Sequence, residues 1–496
     1  MSTQDNSMVL SGRNRQVLFL VLALYALIYA SISLVNHYCF RTYALDLGYM
    51  NQALHSLSRF RMPVYTLDIT GREMNFFATH FSLVMVLYLP FYYLLGTYTL
   101  LVIQLVSVLA GGIGIYRLSL ERGNSQGLSL VILVFFFSLW GIFSALSFDF
   151  HNSVVAAMML PWFILFMERK KYRPAVLFFV LMLMCRESIA LWMVFILLAC
   201  MIRDRQEKRP LSRFKLSLTA VAFAWFMLVS MVLMPSLLPE GVDGQFWKYS
   251  HIGGSLPEVL SNIFLSPGHF LNILFSNTTG EAIYNGIKPE TLLVLFVSGG
   301  FVLFIRPLYL LMILPVLLMK FLSGNYAHWG INYHYSIEFA PVLAIALSDL
   351  KPGVRSLRLR KFIIIISCFL AIGTTVTTLE KRKSRWYNSE NSRFYTKAHF
   401  KCRYNLKEVK RGLSLIKMNS RVSASSELAP HLQFSGELYH FPQINNSEYV
   451  AVLKTSDVTY PLGIDNYLSE IEKLRTSSAY GVLYESEDLI VFGLTE

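Results

Sequence analysis

Residues 174–202 read PAVLFFVLMLMCRESIALWMVFILLACMI, an apolar stretch of twenty-nine residues interrupted only by Arg186-Glu187-Ser188. Arg169-Lys170-Lys171 and Arg173 precede it, and the basic segment from Arg203 to Lys215 follows it. A single spanning helix needs ~20 apolar residues. Clusters of Lys and Arg stay on the cytoplasmic side of a membrane. A stretch with basic flanks at both ends therefore cannot cross once. Two short legs with a turn near Arg186-Glu187 satisfy the charges and open that pair to an external cavity. The class that follows is an α-helical polytopic membrane protein.

The rest of the chain agrees. Of 496 residues, 54% are hydrophobic and only 15% charged, against roughly 25% charged in soluble domains. The net charge is +13. Its basic residues fall in short clusters between apolar runs, which points to membrane topology and away from nucleic acid. The first run, Val17 to Val35, follows Arg13 and Arg15 and leads into Asn36-His37-Tyr38-Cys39-Phe40. It is too long for a signal-peptide core and lacks a small-residue cleavage site. It reads as a retained first helix, with residues 1–16 cytoplasmic.

The same rule orders the other runs. Residues 81–95, short and interrupted by Pro90, lie in the outer interface, and 97–116 return inward. Residues 127–147 go out and 153–168 return. Residues 216–238 go out, 290–305 return, 307–322 go out, 336–349 return and 362–379 go out. The expectation is about eleven crossings over 17–379, with external loops 39–80 and 240–288. In the first loop Leu47, Met50, Leu54 and Leu57 recur at helical spacing, which predicts an amphipathic juxtamembrane helix in the interface. Residues 380–496 are expected as a small extracytoplasmic α/β domain, with strands near 449–453 and 481–484. Residues 381–421 carry thirteen basic residues against two acids. They are either placed near outer-leaflet lipid phosphates or simply solvated. Of five cysteines, three sit in apolar runs, and no CxxC pair occurs. Cys39 and Cys402 both fall outside, where the compartment would allow a bridge.

The polar clusters all lie on the outer side. Asp46, just beyond the first helix, is either a general base or the cap of the helix that follows. His80 is a phosphate or metal ligand, or an interfacial histidine. Asp149 and His151 flank Phe150, so in extended chain both point the same way. They form one acid–imidazole unit, or Asp149 merely starts a helix. Asp46, His80, Asp149 and His151 together are possible ligands of a divalent metal, although no ligand spacing is diagnostic. Arg186 and Glu187 are ionisable groups at membrane depth, which usually face a cavity or a partner. Arg186 suits a phosphate clamp. Tyr333, His334 and Tyr335, with Glu338 nearby, suit stacking on a sugar or an isoprenoid, or an interfacial belt. No P-loop, GxGxxG or HExxH occurs.

Six stretches carry a family resemblance: YALDLGYMNQALHSL (43–57), NFFATHFSLVMVLYLPFYYLLG (75–96), FDFHN (148–152), CRESIAL (185–191), NYHYSIEFAPVLAIAL (332–347) and SASSELAPHLQFSGELYHFP (423–442). They occur in the order found in the bacterial multi-pass family of domain of unknown function 2079, which the chain resembles. That family is a distant relative of the GT-C glycosyltransferases. The resemblance implies a GT-C-like fold in the bacterial inner membrane, with a cytoplasmic N-terminus and an extracytoplasmic C-terminus. It implies transfer of a sugar from a polyprenyl-phosphate donor to an envelope acceptor, with Asp46 at the position of the acidic residue in the first external loop. His80, Asp149, His151 and Glu187 match motif positions without an assigned role. Where the family often has Lys-Glu-Asp, this chain has Arg186-Glu187-Ser188, so a role needing two carboxylates there is in doubt. Arg41, Arg186 and the basic stretch after Lys381 are candidates to hold the donor phosphate. The competing expectations are a transporter or flippase of a lipid-linked or anionic substrate, and a non-catalytic assembly factor.

Overall fold

The computed structural model describes residues 12–242, 244–350, 356–383, 388–432 and 437–495. Residues 1–11 of the N-terminal segment, Lys351 and Arg355 of the last basic cluster, Arg385 of the basic stretch and residues 433–436 of the last motif lie outside them.

The chain is mostly helical. Among the described residues four helical segments are long and apolar enough to cross a membrane: Gly12–Tyr38, Leu83–Glu121, Arg213–Ser236 and Leu357–Glu380. Gln126–Phe137 and Trp140–Leu146, bent by 47°, make a fifth if taken as one broken span. Shorter apolar helices, Asn152–Glu168, Tyr172–Cys185, Leu308–Phe321 and Phe339–Ser348, accompany them. The molecule is therefore a membrane protein with four or five apolar spans and a small C-terminal sheet.

The decisive stretch breaks where its charges stand. Tyr172–Cys185 and Glu187–Gln206 are separate helices, and Arg186 between them is extended at φ −167° and ψ 147°. The first leg has 14 residues, about 21 Å of helix against ~30 Å of hydrocarbon. The segment 83–98 is helical too, with Pro90 in the first turn of Leu89–Leu95. The break comes six residues later, where Gly96 takes φ 56°.

The helix expected in the first loop exists as Tyr49–Ser58, entered through a π-turn at Ala44–Gly48. Its apolar face does not meet lipid, contrary to expectation. Leu47, Met50 and Leu54 are buried in the main core of the protein. Residues 429–431 cover them: Asn51 donates to the Pro430 carbonyl at 3.3 Å. A Cβ on Gly48 would stand 3.1 Å from Leu67 and 3.7 Å from Ala429.

The C-terminal sheet has strands β3 (Arg421–Ala424), β4 (Glu437–His440), β5 (Tyr449–Leu453), β6 (Tyr480–Glu485) and β7 (Leu489–Leu494), in the order β4-β3-β5-β7-β6. A two-residue hairpin, β1 (Val64–Tyr65) and β2 (Met74–Asn75), lies in the first loop. Strand side chains alternate with period two, and both faces of the large sheet are used. Tyr449, Ala451, Leu453, Leu489 and Val491 join the core of the helical part. Val450, Val452, Ile490 and Phe492 pack with Tyr467, Ile471 and Leu474 of the helix Ile464–Thr476. The sheet thus shares a core with the first loop. Thr66 Oγ1 donates to the Leu438 carbonyl at 2.7 Å, and a disulfide joins Cys39 to Cys402 with Cα atoms 4.8 Å apart.

Candidate functional site

Asp149 organises the site from below. It sits at φ 40° between the Trp140–Leu146 and Asn152–Glu168 helices, a conformation uncommon outside glycine. Its Oδ2 accepts the backbone N–H of Tyr43 at 3.0 Å and of Leu47 at 3.1 Å. The carboxylate thus closes the turn that carries Asp46. Neither earlier alternative of capping applies: no side chain caps the 44–48 turn from within, and Asp149 caps that distant turn rather than its own helix. Gln104 holds the loop from the other side. Its Nε2 donates to the Asp149 carbonyl at 2.8 Å and its Oε1 accepts the His151 N–H at 2.9 Å.

This scaffold sets Asp46 Oδ1 3.9 Å from His151 Nε2. The Asp46 side chain keeps 24% of its surface open and His151 only 6%. Burial, and then the nearby Asp149 charge, hold the Asp46 carboxyl well above the usual carboxylate range. Asp149 is raised as well by burial, opposed by the N–H bonds it accepts. The His151 and His334 rings stack with centroids 3.3 Å apart. Phe148 stacks on His151 at 5.6 Å and meets Tyr333 edge-on at 4.3 Å. Tyr335 lies against His334 at 4.2 Å.

Arg186 enters from the hairpin tip. Its Nε donates to Glu187 Oε1 at 3.3 Å, and Glu187 Oε2 accepts the Phe81 N–H at 3.3 Å. Ser82 Oγ donates to the Cys185 carbonyl at 2.6 Å, which docks the tip on the residues after His80. His80 lies 6.3 Å from the Tyr49 ring. Burial and then the Arg186 charge disfavour protonation of His80 and His151. For His334 burial and His151 come first, then Arg186. All three are biased toward the neutral imidazole. The buried His151 Nε2 and both His334 ring nitrogens have no hydrogen-bond partner.

Nine of the ten expected residues thus belong to one cluster. Arg41 does not. Its guanidinium donates to the carbonyls of His399 at 2.9 Å and Lys401 at 2.8 Å, beside the disulfide. It ties the first loop to the C-terminal segment. The four possible metal ligands do not converge. Among the described residues no three His, Cys, Asp or Glu side chains gather as a metal site. Asp149 Oδ2 is spent on backbone N–H groups. Residues missed from the sequence are Gln104, Phe148 and Lys248. Gln104 left a signal, a lone amide inside the apolar run 97–116. Lys248 comes from the segment 240–288, and its charge acts on His80.

The family model described as "Predicted membrane protein (DUF2079)" matches residues 36–491. The chain belongs to the DUF2079 family. The match takes in every residue of the cluster and all of the C-terminal sheet but the last three residues of β7, and it describes a membrane protein of unknown function. No curated protein matches the chain.

Proposed function

We propose that this DUF2079 protein is a GT-C-type membrane glycosyltransferase, moving a sugar from a polyprenyl-phosphate donor to an envelope glycan, lipid or protein. The observation that carries the reading is Asp46, a partly exposed carboxyl on a turn held by Asp149, 3.9 Å from a histidine on which the Arg186 charge acts. Group transfer from a lipid phosphate needs both the carboxyl and the cation. As the acceptor oxygen attacks the anomeric carbon, Asp46 takes its proton. The bond from that carbon to the phosphate oxygen breaks, and the phosphate leaves with the electron pair. Arg186 and Lys248 meet its charge. Tyr333 and Tyr335 offer ring faces to the sugar.

The reading keeps eleven crossings, counting the short helices as spans, and an extracytoplasmic domain over 380–496. It puts the protein in the bacterial inner membrane with its N-terminus inside. The Cys39–Cys402 bridge supports that side for the cluster, because disulfides persist in oxidising compartments. A transporter or flippase is the second reading, favoured by a polar cavity of about 980 Å³ at the opposite helix ends.

The test is sugar transfer by purified, reconstituted protein with a panel of polyprenyl-phosphate sugars. Transfer lost by at least a hundredfold in folded Asp46→Asn is expected. No turnover with any donor, together with donor movement across proteoliposome membranes, would give the second reading its place.

A further inference from the structure

The helices that reach the Asp46 cluster have their other ends in a second polar region. Asn152–Glu168 begins at His151 and ends at Glu168, roughly 26 Å away along its axis. Glu187–Gln206 begins at Arg186 and carries Arg203 near its far end. There Arg122 pairs with Glu168 at 2.7 Å, and Arg203 pairs with Glu168 at 2.8 Å and with Asp349 at 3.2 Å. Arg306 also pairs with Asp349, and Lys215 with Asp204 at 2.6 Å. All of these but Arg306 border the cavity of about 980 Å³.

Two members of its wall are left over. Arg360 is 6% exposed, gives one guanidinium nitrogen to Asn124 Oδ1, and has no carboxylate partner among the described residues. Its Nε is buried without a partner. Tyr309 is 1% exposed, and its hydroxyl, also on the wall, has no partner either. A buried cation without an anion is costly, and a buried hydroxyl without a partner adds to that cost. Both line the same cavity, so an anion with several acceptor oxygens bound there has a cation and a hydroxyl donor on its wall.

We propose that this cavity binds a phosphoryl anion, held by Arg360 and Tyr309. Basic pockets between helix ends on the positive side of a membrane take phosphate headgroups, and a free phosphate presents the same oxygens. The site stands apart from the Asp46 cluster and does not depend on how that cluster is read.

The experiment is isothermal titration of the purified full chain with inorganic phosphate and with short-chain phosphatidylglycerol, using short-chain phosphatidylcholine as control. Binding of phosphate itself identifies a soluble ligand, and binding of phosphatidylglycerol alone identifies an anionic headgroup. Either supports the site. Arg360→Gln is expected to weaken binding at least tenfold and Tyr309→Phe about threefold, with Arg360→Lys retaining most of it. Tyr309→Phe keeps its ring and carries the test if Arg360→Gln fails to fold. No binding of either probe, or affinities unchanged in both Arg360→Gln and Tyr309→Phe, would overturn the proposal.

Discussion

Asp46 and Asp149 are separated by 103 positions, yet the Asp149 charge acts on Asp46. Asp46 was legible as an ionisable group stranded next to an apolar run. The work of Asp149 was not, because it accepts N–H groups from Tyr43 and Leu47, and no local pattern encodes a cap that arrives from another segment. The pair has a pH consequence. The folded-state pKa of Asp46 is raised, so the base form fills only as pH climbs past the usual carboxylate range of ~4. The acidic limb of transfer activity should therefore lie above that range. The same sign makes the carboxyl favour the folded state below its unfolded pKa, an advantage lost as pH rises through the folded value. Asp149→Asn keeps an oxygen for the two N–H donors and removes the charge. Its kcat/KM profile should retain its shape with the acidic limb moved to lower pH. A limb that stays in place would show that Asp149 does not set the ionisation of Asp46.

At the scale of elements, the helical hairpin was readable because charge and periodicity both mark its turn. What covers the Tyr49–Ser58 helix was not, since its lid at 429–431 lies some 380 positions away in sequence. Helix packing was equally silent. Along Thr99–Glu121, a Cβ on Gly112 would come within 2.2 Å of the Phe137 ring, and one on Gly111 within 2.8 Å of Met158. Phe137 is fully buried and has no room to swing away. These glycines let Gln126–Phe137 and Asn152–Glu168 approach closely, as small residues do between membrane helices. Gly112→Val should destabilise the protein by about 1–3 kcal/mol or more. Thermal unfolding in detergent reads the change, and an unaltered midpoint would show that the helices can part at no cost.

For the whole molecule, the proposed topology puts the basic clusters on one side, and the C-terminal sheet packs on the loop that follows the first helix. Under the proposed topology the two ends of that helix belong to different compartments. A reporter fused after Thr495 should be active outside, and one inserted near Lys208 should be active inside. Both on the same side would break the topology. The class was readable from composition and charge. The sharing of one core between sheet and helices was not, because alternate residues of β5 and β7 face two different partners, and the sequence shows only an unbroken apolar run.

Cys39 and Cys402 are 363 positions apart. The ribosome makes the first long before the second, by roughly 20–70 s at 5–20 residues per second. Throughout that interval Cys39 waits as a thiol. The bond closes only after the last helix has been placed and Cys402 has been delivered to the same side. Its closure thus dates the placement of the helices between the two cysteines. A chain stalled, truncated or inserted upside down before that moment would carry a free thiol at Cys39, which quality control could detect.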